Sequence, residues 1–172
     1  WEKLYSERLY KSYEEDFGLK VRIARFHNIY GPEGTYEGGR EKAPAALARK
    51  VALAKNGGSV EVWGDGEQSR SFCYVDDMIE GMIRMMEGPD TFVGPVNLGN
   101  PGEFTILQLA EMIIRLTGSK SEIVFEPLPQ DDPLQRRPDI TLAREKLNWE
   151  PAIALEAGLE KTIAYFSGLK AR

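Results

Sequence analysis

The chain has 172 residues, with 22 Lys and Arg against 27 Asp and Glu, 42% hydrophobic and 10% aromatic. That is the composition of one globular domain or slightly more, not of a disordered or fibrous chain. A net charge of −5 gives no footprint for a sequence-independent grip on phosphate polymers, so nucleic acid is not an expected partner. Cys73 and His27, the single Cys and His of the chain, can make neither an internal disulfide nor a structural zinc site, so no metal is expected and a reducing, cytoplasmic setting fits. No apolar run approaches the ~20 residues of a membrane span, and the charged opening WEKLYSERLYK is unlike a signal peptide. No membrane is expected. The chain opens on Trp1 in mid-helix pattern, which reads as a fragment.

Leu4, Leu9, Tyr13 and Phe17 predict a helix over residues 2 to 16, stopped at Gly18. Residues 20 to 26, KVRIARF, predict a strand feeding a long loop, HNIYGPEGTYEGGR; a loop of that length with aromatic and amide side chains is a candidate binding surface. A helix follows from Lys42 to Lys55 with Pro44 in its first turn, then a turn at 56 to 58, the strand SVEVW and a polar loop, GDGEQSR. Residues 71 to 74 are strand-like, and VDDMIEGMIRMME is an amphipathic helix with Asp76 and Asp77 near its positive end. A buried strand at 95 to 99 precedes a capping box, Thr105 with Gln108, that opens a helix ending at Gly118. A strand at 122 to 126, the loop PLPQDDPLQRRP, a helix from about Asp139 to Leu147 and a last helix from 155 to 168 complete an α/β pattern.

Four constellations can carry chemistry. Arg25, His27, Asn28, Tyr30, Gly31 and Pro32 lie where a strand breaks into a loop, the usual ligand position of open α/β sheets, although Asn28 and Gly31 equally suit a plain turn and His27 a packed, hydrogen-bonded role. Glycines 31, 34 and 38 miss the dinucleotide spacing, and Pro32 removes an amide donor. Arg40, Glu41 and Lys42 stand at a helix start, where the field disfavours a lysine's charge and moves its pKa toward proton-transfer use; a solvated charge cluster is the alternative. Gln68 with Arg70, and Arg136 with Arg137, place guanidinium forks on two loops able to clamp a diphosphate. Asp131 and Asp132 offer instead a local ion-pair knot with Arg136 and Arg137.

Together these motifs resemble the C-terminal half of an extended short-chain dehydrogenase/reductase of the NAD-dependent epimerase/dehydratase family, acting on nucleotide sugars. RFHNIYGP, GGREKAPAA and WGDGEQSRSF are most similar to GDP-mannose 3,5-epimerases, whereas PVNLGNPGEFTILQLAEMI, QDDPLQRRPDI and LNWEPAIALEAGLEKTI are similar to UDP-glucuronate decarboxylases. The resemblance implies an α/β substrate-binding domain with a remnant strand and helix of the Rossmann layer. Residues 1–30 would be the remnant, and 31–172 the nucleotide-sugar-binding domain, interleaved with Rossmann-layer elements.

Lys3 then matches the lysine of the family's Tyr-x-x-x-Lys pair, whose tyrosine would lie two residues before Trp1. NAD would be bound mainly by the absent N-terminal half, with Lys3, Arg25 and His27 expected on the cofactor side. Asn28 matches a substrate-contacting Asn; Glu41, Lys42 and Ala43 match the segment lining the sugar. Lys50, Gln68 and Arg70 match residues at the nucleotide diphosphate, joined by Arg136 in preference to Arg137. Cys73 matches no catalytic position and reads as a small core residue. In such enzymes NAD takes hydride from sugar C4, and the ketone acidifies C3 and C5 for an acid/base pair. Lys42 matches one of that pair, which favours an epimerase over a decarboxylase or 4,6-dehydratase. The third possibility is a non-catalytic nucleotide-sugar-binding fragment. The intact family member is expected to be a homodimer paired through helices that include 2 to 16.

Overall fold

In a computed structural model the described residues are 1–35, 43–53, 58–127 and 135–169. Helix α1 spans Glu2–Phe17 and ends at Gly18, whose φ of 68° lets its N–H reach back to the Glu14 carbonyl. Strand β1 covers only Ala24–Phe26, shorter than the expected 20 to 26. It pairs in parallel with β6, Val96–Leu98, in the register Ala24↔Val96 to Phe26↔Leu98. Backbone bonding reaches one residue further back, where Ile23 N–H donates to the Val93 carbonyl at 2.8 Å and the Ile23 carbonyl accepts the Val96 N–H at 2.9 Å.

A second short strand, β2 at Ile29–Tyr30, lies inside what the sequence reads as loop and pairs in parallel with β5, Cys73–Tyr74. Helix α2, Ala43–Leu53, carries Pro44 in its first turn as expected. Strand β3, Ser59–Trp63, pairs in parallel with β8, Glu122–Glu126, both at their predicted bounds. Strand β4, Ser69–Ser71, runs between β7, Glu103–Thr105, and β9, Gln135–Arg136. Sequence patterning showed neither β7 nor β9, since strands this short leave no alternation to read. Helices α3, Val75–Glu87, α4, Ile106–Thr117, α5, Thr141–Leu147, and α6, Leu155–Leu169, follow the predicted order. The capping box forms, with Gln108 N–H donating to Thr105 Oγ1 and Thr105 N–H donating to the Gln108 side chain.

Two cores hold the chain. The first joins Leu47 and Val51 of α2, Val60 and Val62 of β3, Leu109 and Ile113 of α4 and Leu159 and Phe166 of α6. The second joins Met78 and Met85 of α3, Val96 and Leu98 of β6, and Ala143, Leu147 and Trp149 around α5. Fully burying an aliphatic side chain of this kind contributes roughly 1.5–3 kcal/mol against chain entropy. The second core shows how β1 is completed: the chain comes back to it through α3 and β6, about seventy residues later in sequence by the register Ala24↔Val96. Cys73 packs there fully buried, as expected of a small core residue. Burial, with the Asp77 charge adding to it, pushes its thiol up to about 12, so no thiolate is available near neutrality.

Candidate functional site

The candidate residues fall on two parts of the fold, the end of β1 and β6 where it meets β5, and the sheet of β7, β4 and β9. Asn28 joins β1 to β2 with a left-handed φ of 41°, a conformation that asparagine tolerates better than most residues. Its carbonyl accepts the Cys73 N–H at 3.1 Å, and the neighbouring His27 N–H donates to the Leu98 carbonyl at 3.0 Å. The peptide at Asn28 is thereby fixed to both parallel pairs, β1 with β6 and β2 with β5. Gly31 then passes so close to α3 that a Cβ would stand 2.5 Å from Val75 Cγ1.

Arg70 occupies the middle of β4 and is 9% exposed; its Nη1 donates to the Ser69 carbonyl at 2.7 Å. Its register partner on the parallel strand β9 is Arg136, which is exposed. Two arginines 66 positions apart in the sequence therefore stand at paired positions on one face of a sheet. A guanidinium fork matches the paired oxygens of an anion such as a diphosphate. Arg137 points elsewhere, its Nη1 3.6 Å from the Glu103 carboxylate.

The other sequence candidates divide. Gln68 is buried, and its amide donates to the Trp63 carbonyl at 2.7 Å, closing the turn between β3 and β4; the structure gives it a structural task. Ala43 is the first residue of α2. Glu41, Lys42, Arg40, Asp131 and Asp132 lie outside the described residues, as does the side chain of Lys50. Lys3 is exposed in the first turn of α1. Arg25 makes a two-point bond to Glu7, 2.8 Å from Nε and 2.7 Å from Nη2. That bond keeps the Glu7 carboxyl below the usual glutamate range and raises the arginine. His27 Nε2 lies 3.4 Å from Asn97 Oδ1, and the Asn97 amide donates to the Asp139 carbonyl at 2.9 Å. Asn97 was missed by the sequence reading; its signal was a lone amide in the centre of the buried run VNL.

These residues bear directly on NAD. Arg25 bonds to Glu7 and His27 lies against Asn97, and of the three residues on the expected cofactor side Lys3 and Arg25 are exposed. Among the described residues no three His, Cys, Asp or Glu side chains gather as metal ligands, and no helix is long and apolar enough to cross a membrane.

Comparison with known proteins gives the same frame. Residues 1–99 match the family model described as the NAD dependent epimerase/dehydratase family. The chain belongs to that family. UDP-glucuronic acid decarboxylase 5 of Arabidopsis thaliana is 45% identical over 91% of this chain and 44% of its own length. GDP-mannose 3,5-epimerase of the same plant is 44% identical over 96% of this chain and 42% of its own. A crystal structure of UDP-glucose 4-epimerase from Thermotoga maritima with UDP-glucose superposes with a TM-score of 0.87 at 32% identity, covering 96% of this chain and 52% of that one. The chain therefore spans about half the length of the relatives it matches, and the α/β arrangement described above is the family's fold.

Proposed function

We propose that the chain is the nucleotide-sugar-binding part of an NAD-dependent nucleotide-sugar epimerase similar to GDP-mannose 3,5-epimerase. The observation that supports this reading is the register pairing of Arg70 with Arg136, two guanidinium forks of a kind suited to a nucleotide diphosphate. Asn28 would contact the substrate at the mouth of the β1 and β6 strand ends, with Ala43 and the Glu41–Lys42 segment lining the sugar and Lys50 adding charge at the phosphates. Bound NAD supplies hydride transfer at sugar C4. This chain's part is to hold the diphosphate and to move protons: once C4 is a ketone, Lys42 removes or returns a proton at C3 or C5, and return to the opposite ring face inverts the centre. Lys3 would act at the cofactor ribose. In the full enzyme, Lys42→Ala should abolish solvent-deuterium exchange at C3 and C5 while oxidation at C4 remains measurable.

A second reading, UDP-glucuronate decarboxylase, is favoured by the 45% identity to that relative; it loses CO2 from C5 and needs no acid/base lysine. Calorimetric titration of this chain with GDP and UDP separates the two. Preference for GDP, lost in Arg70→Ala, favours the epimerase, and preference for UDP favours the decarboxylase; an Arg70→Ala variant that binds like wild type removes the diphosphate reading from both. The outward apolar residues of α1, Leu4, Leu9 and Tyr13 among them, support a homodimer in the full enzyme, which light scattering measures.

A further inference from the structure

We infer that Glu103 is a positioning residue for the diphosphate site, holding Arg136 beside Arg70 from the opposite face of the sheet. The inference rests on the proposed reading of the two arginines. Side chains alternate along a strand, so Arg70 and Arg136 share one face of the β7-β4-β9 sheet, while Ser69, Gln135 and Glu103 share the other. There, a single Glu103 oxygen, Oε1, accepts from Ser69 Oγ at 2.9 Å and from Gln135 Nε2 at 2.7 Å. Its Oε2 stands 3.6 Å from Arg137 Nη1. One carboxylate on β7 thus touches a side chain of β4 and the two residues that flank Arg136.

That matters because β9 is two residues long and, among the described residues, pairs with β4 alone. So short an edge strand has little ladder of its own to fix it, and charge-assisted side-chain bonds on its far face are the larger restraint. The Gln135 and Ser69 bonds, with Arg137 close by, also hold the Glu103 carboxyl below the usual glutamate range. The acceptor is therefore ionised throughout the neutral range. Its negative charge faces Arg137 on the far side of the sheet from the arginine pair.

The test titrates this chain with inorganic pyrophosphate, UDP and GDP in Glu103→Ala, Glu103→Gln, Arg136→Ala and the Arg136→Ala/Glu103→Ala double variant, with melting temperatures measured in parallel. Glu103→Ala should weaken diphosphate affinity about tenfold. Glu103→Gln keeps an Oε1 acceptor and should lose less than about threefold. Because the effect runs through Arg136, adding Glu103→Ala to Arg136→Ala should cost little more, which a merely destabilising role would not reproduce. Wild-type affinity in Glu103→Ala, with or without a lowered melting temperature, overturns the inference while Arg70→Ala still loses binding. An equal loss from Glu103→Ala in both backgrounds overturns it too. If Arg70→Ala binds normally, the diphosphate reading itself fails and takes this inference with it.

Discussion

Helices α1 and α4 both carry apolar side chains at helical spacing, yet they turn them in opposite directions. α4 buries Leu109, Ala110 and Ile113 in the first core and is capped at both ends, by Thr105 with Gln108 and by Gly118. α1, with 16 residues, buries none; Leu4, Tyr5, Leu9, Tyr10, Tyr13 and Phe17 are exposed. Its partly covered residues are instead Ser6, Glu7, Lys11, Ser12 and Glu14, and Glu7 ties it to Arg25 of β1. Amphipathicity reports that a face is to be covered but not by what. α4 finds its cover within this chain; α1 offers its polar side to the chain and its apolar side outward.

The largest effect that separates the two regions is cavity formation. Leu159 of α6 is fully buried against α4 and α2, so Leu159→Ala should cost about 2–5 kcal/mol in denaturant unfolding. Leu9, 42% exposed on α1, should cost no more than about 0.5 kcal/mol as Leu9→Ala. Matching losses at the two leucines would break the contrast.

A smaller effect tests the seam between the cores. The Asp77 carboxylate, in the first turn of α3, accepts the backbone N–H groups of Ala152 and Ile153 at 3.1 and 2.9 Å, and the Asp77 carbonyl accepts Trp149 Nε1–H at 3.0 Å. The segment leading into α6 is pinned to α3 in this way. Asp77→Ala leaves two amides without their acceptor and should lose about 1–3 kcal/mol. Asp77→Asn, which keeps one acceptor oxygen, should lose about half as much. Trp149 fluorescence follows both, because the indole bonds to the backbone of the substituted residue and keeps its partner; a shift in emission without loss of stability would mean that the pin is not structural.

What was legible in the sequence follows the same division. Helices with a buried face or an explicit cap were readable to within a residue or two: α3 at Val75–Glu87, α4 behind its Thr105–Gln108 box, α1 up to Gly18. β3 and β8 were readable from their alternation. Strands of two or three residues, β2, β7 and β9, were not, because their conformation is set by partners distant in sequence rather than by their own pattern. The candidate site shares that limit. Arg70 and Arg136 were each visible as residues suited to phosphate, but their adjacency depends on β9, and Glu103 and Asn97 are defined only by what they touch. Gln68, visible for the same reason as Arg70, turned out to close a turn.

The smallest effect isolates how α1 is held. The Arg25 and Glu7 side chains are 46% and 21% exposed, so water still reaches and screens their bond and Arg25→Ala should change global stability by less than about 1 kcal/mol. Local stability is another matter, since among the described residues this is the side-chain hydrogen bond that ties α1 to β1. Amide exchange over residues 2 to 17 should quicken in Arg25→Ala while α4 amides stay protected. Acid should reproduce the substitution. The Arg25 bond lowers the Glu7 carboxyl below its ordinary value, so its contribution is fully present above the ordinary glutamate range and is lost as pH falls through the lowered value. Protection of the α1 amides, expressed relative to the intrinsic exchange rate at each pH, should therefore fall on acidification in the wild type and show no such fall in Arg25→Ala. If α1 exchanges as slowly as α4 in both proteins at every pH, the helix is anchored by its exposed apolar face, through self-association, and not by Glu7.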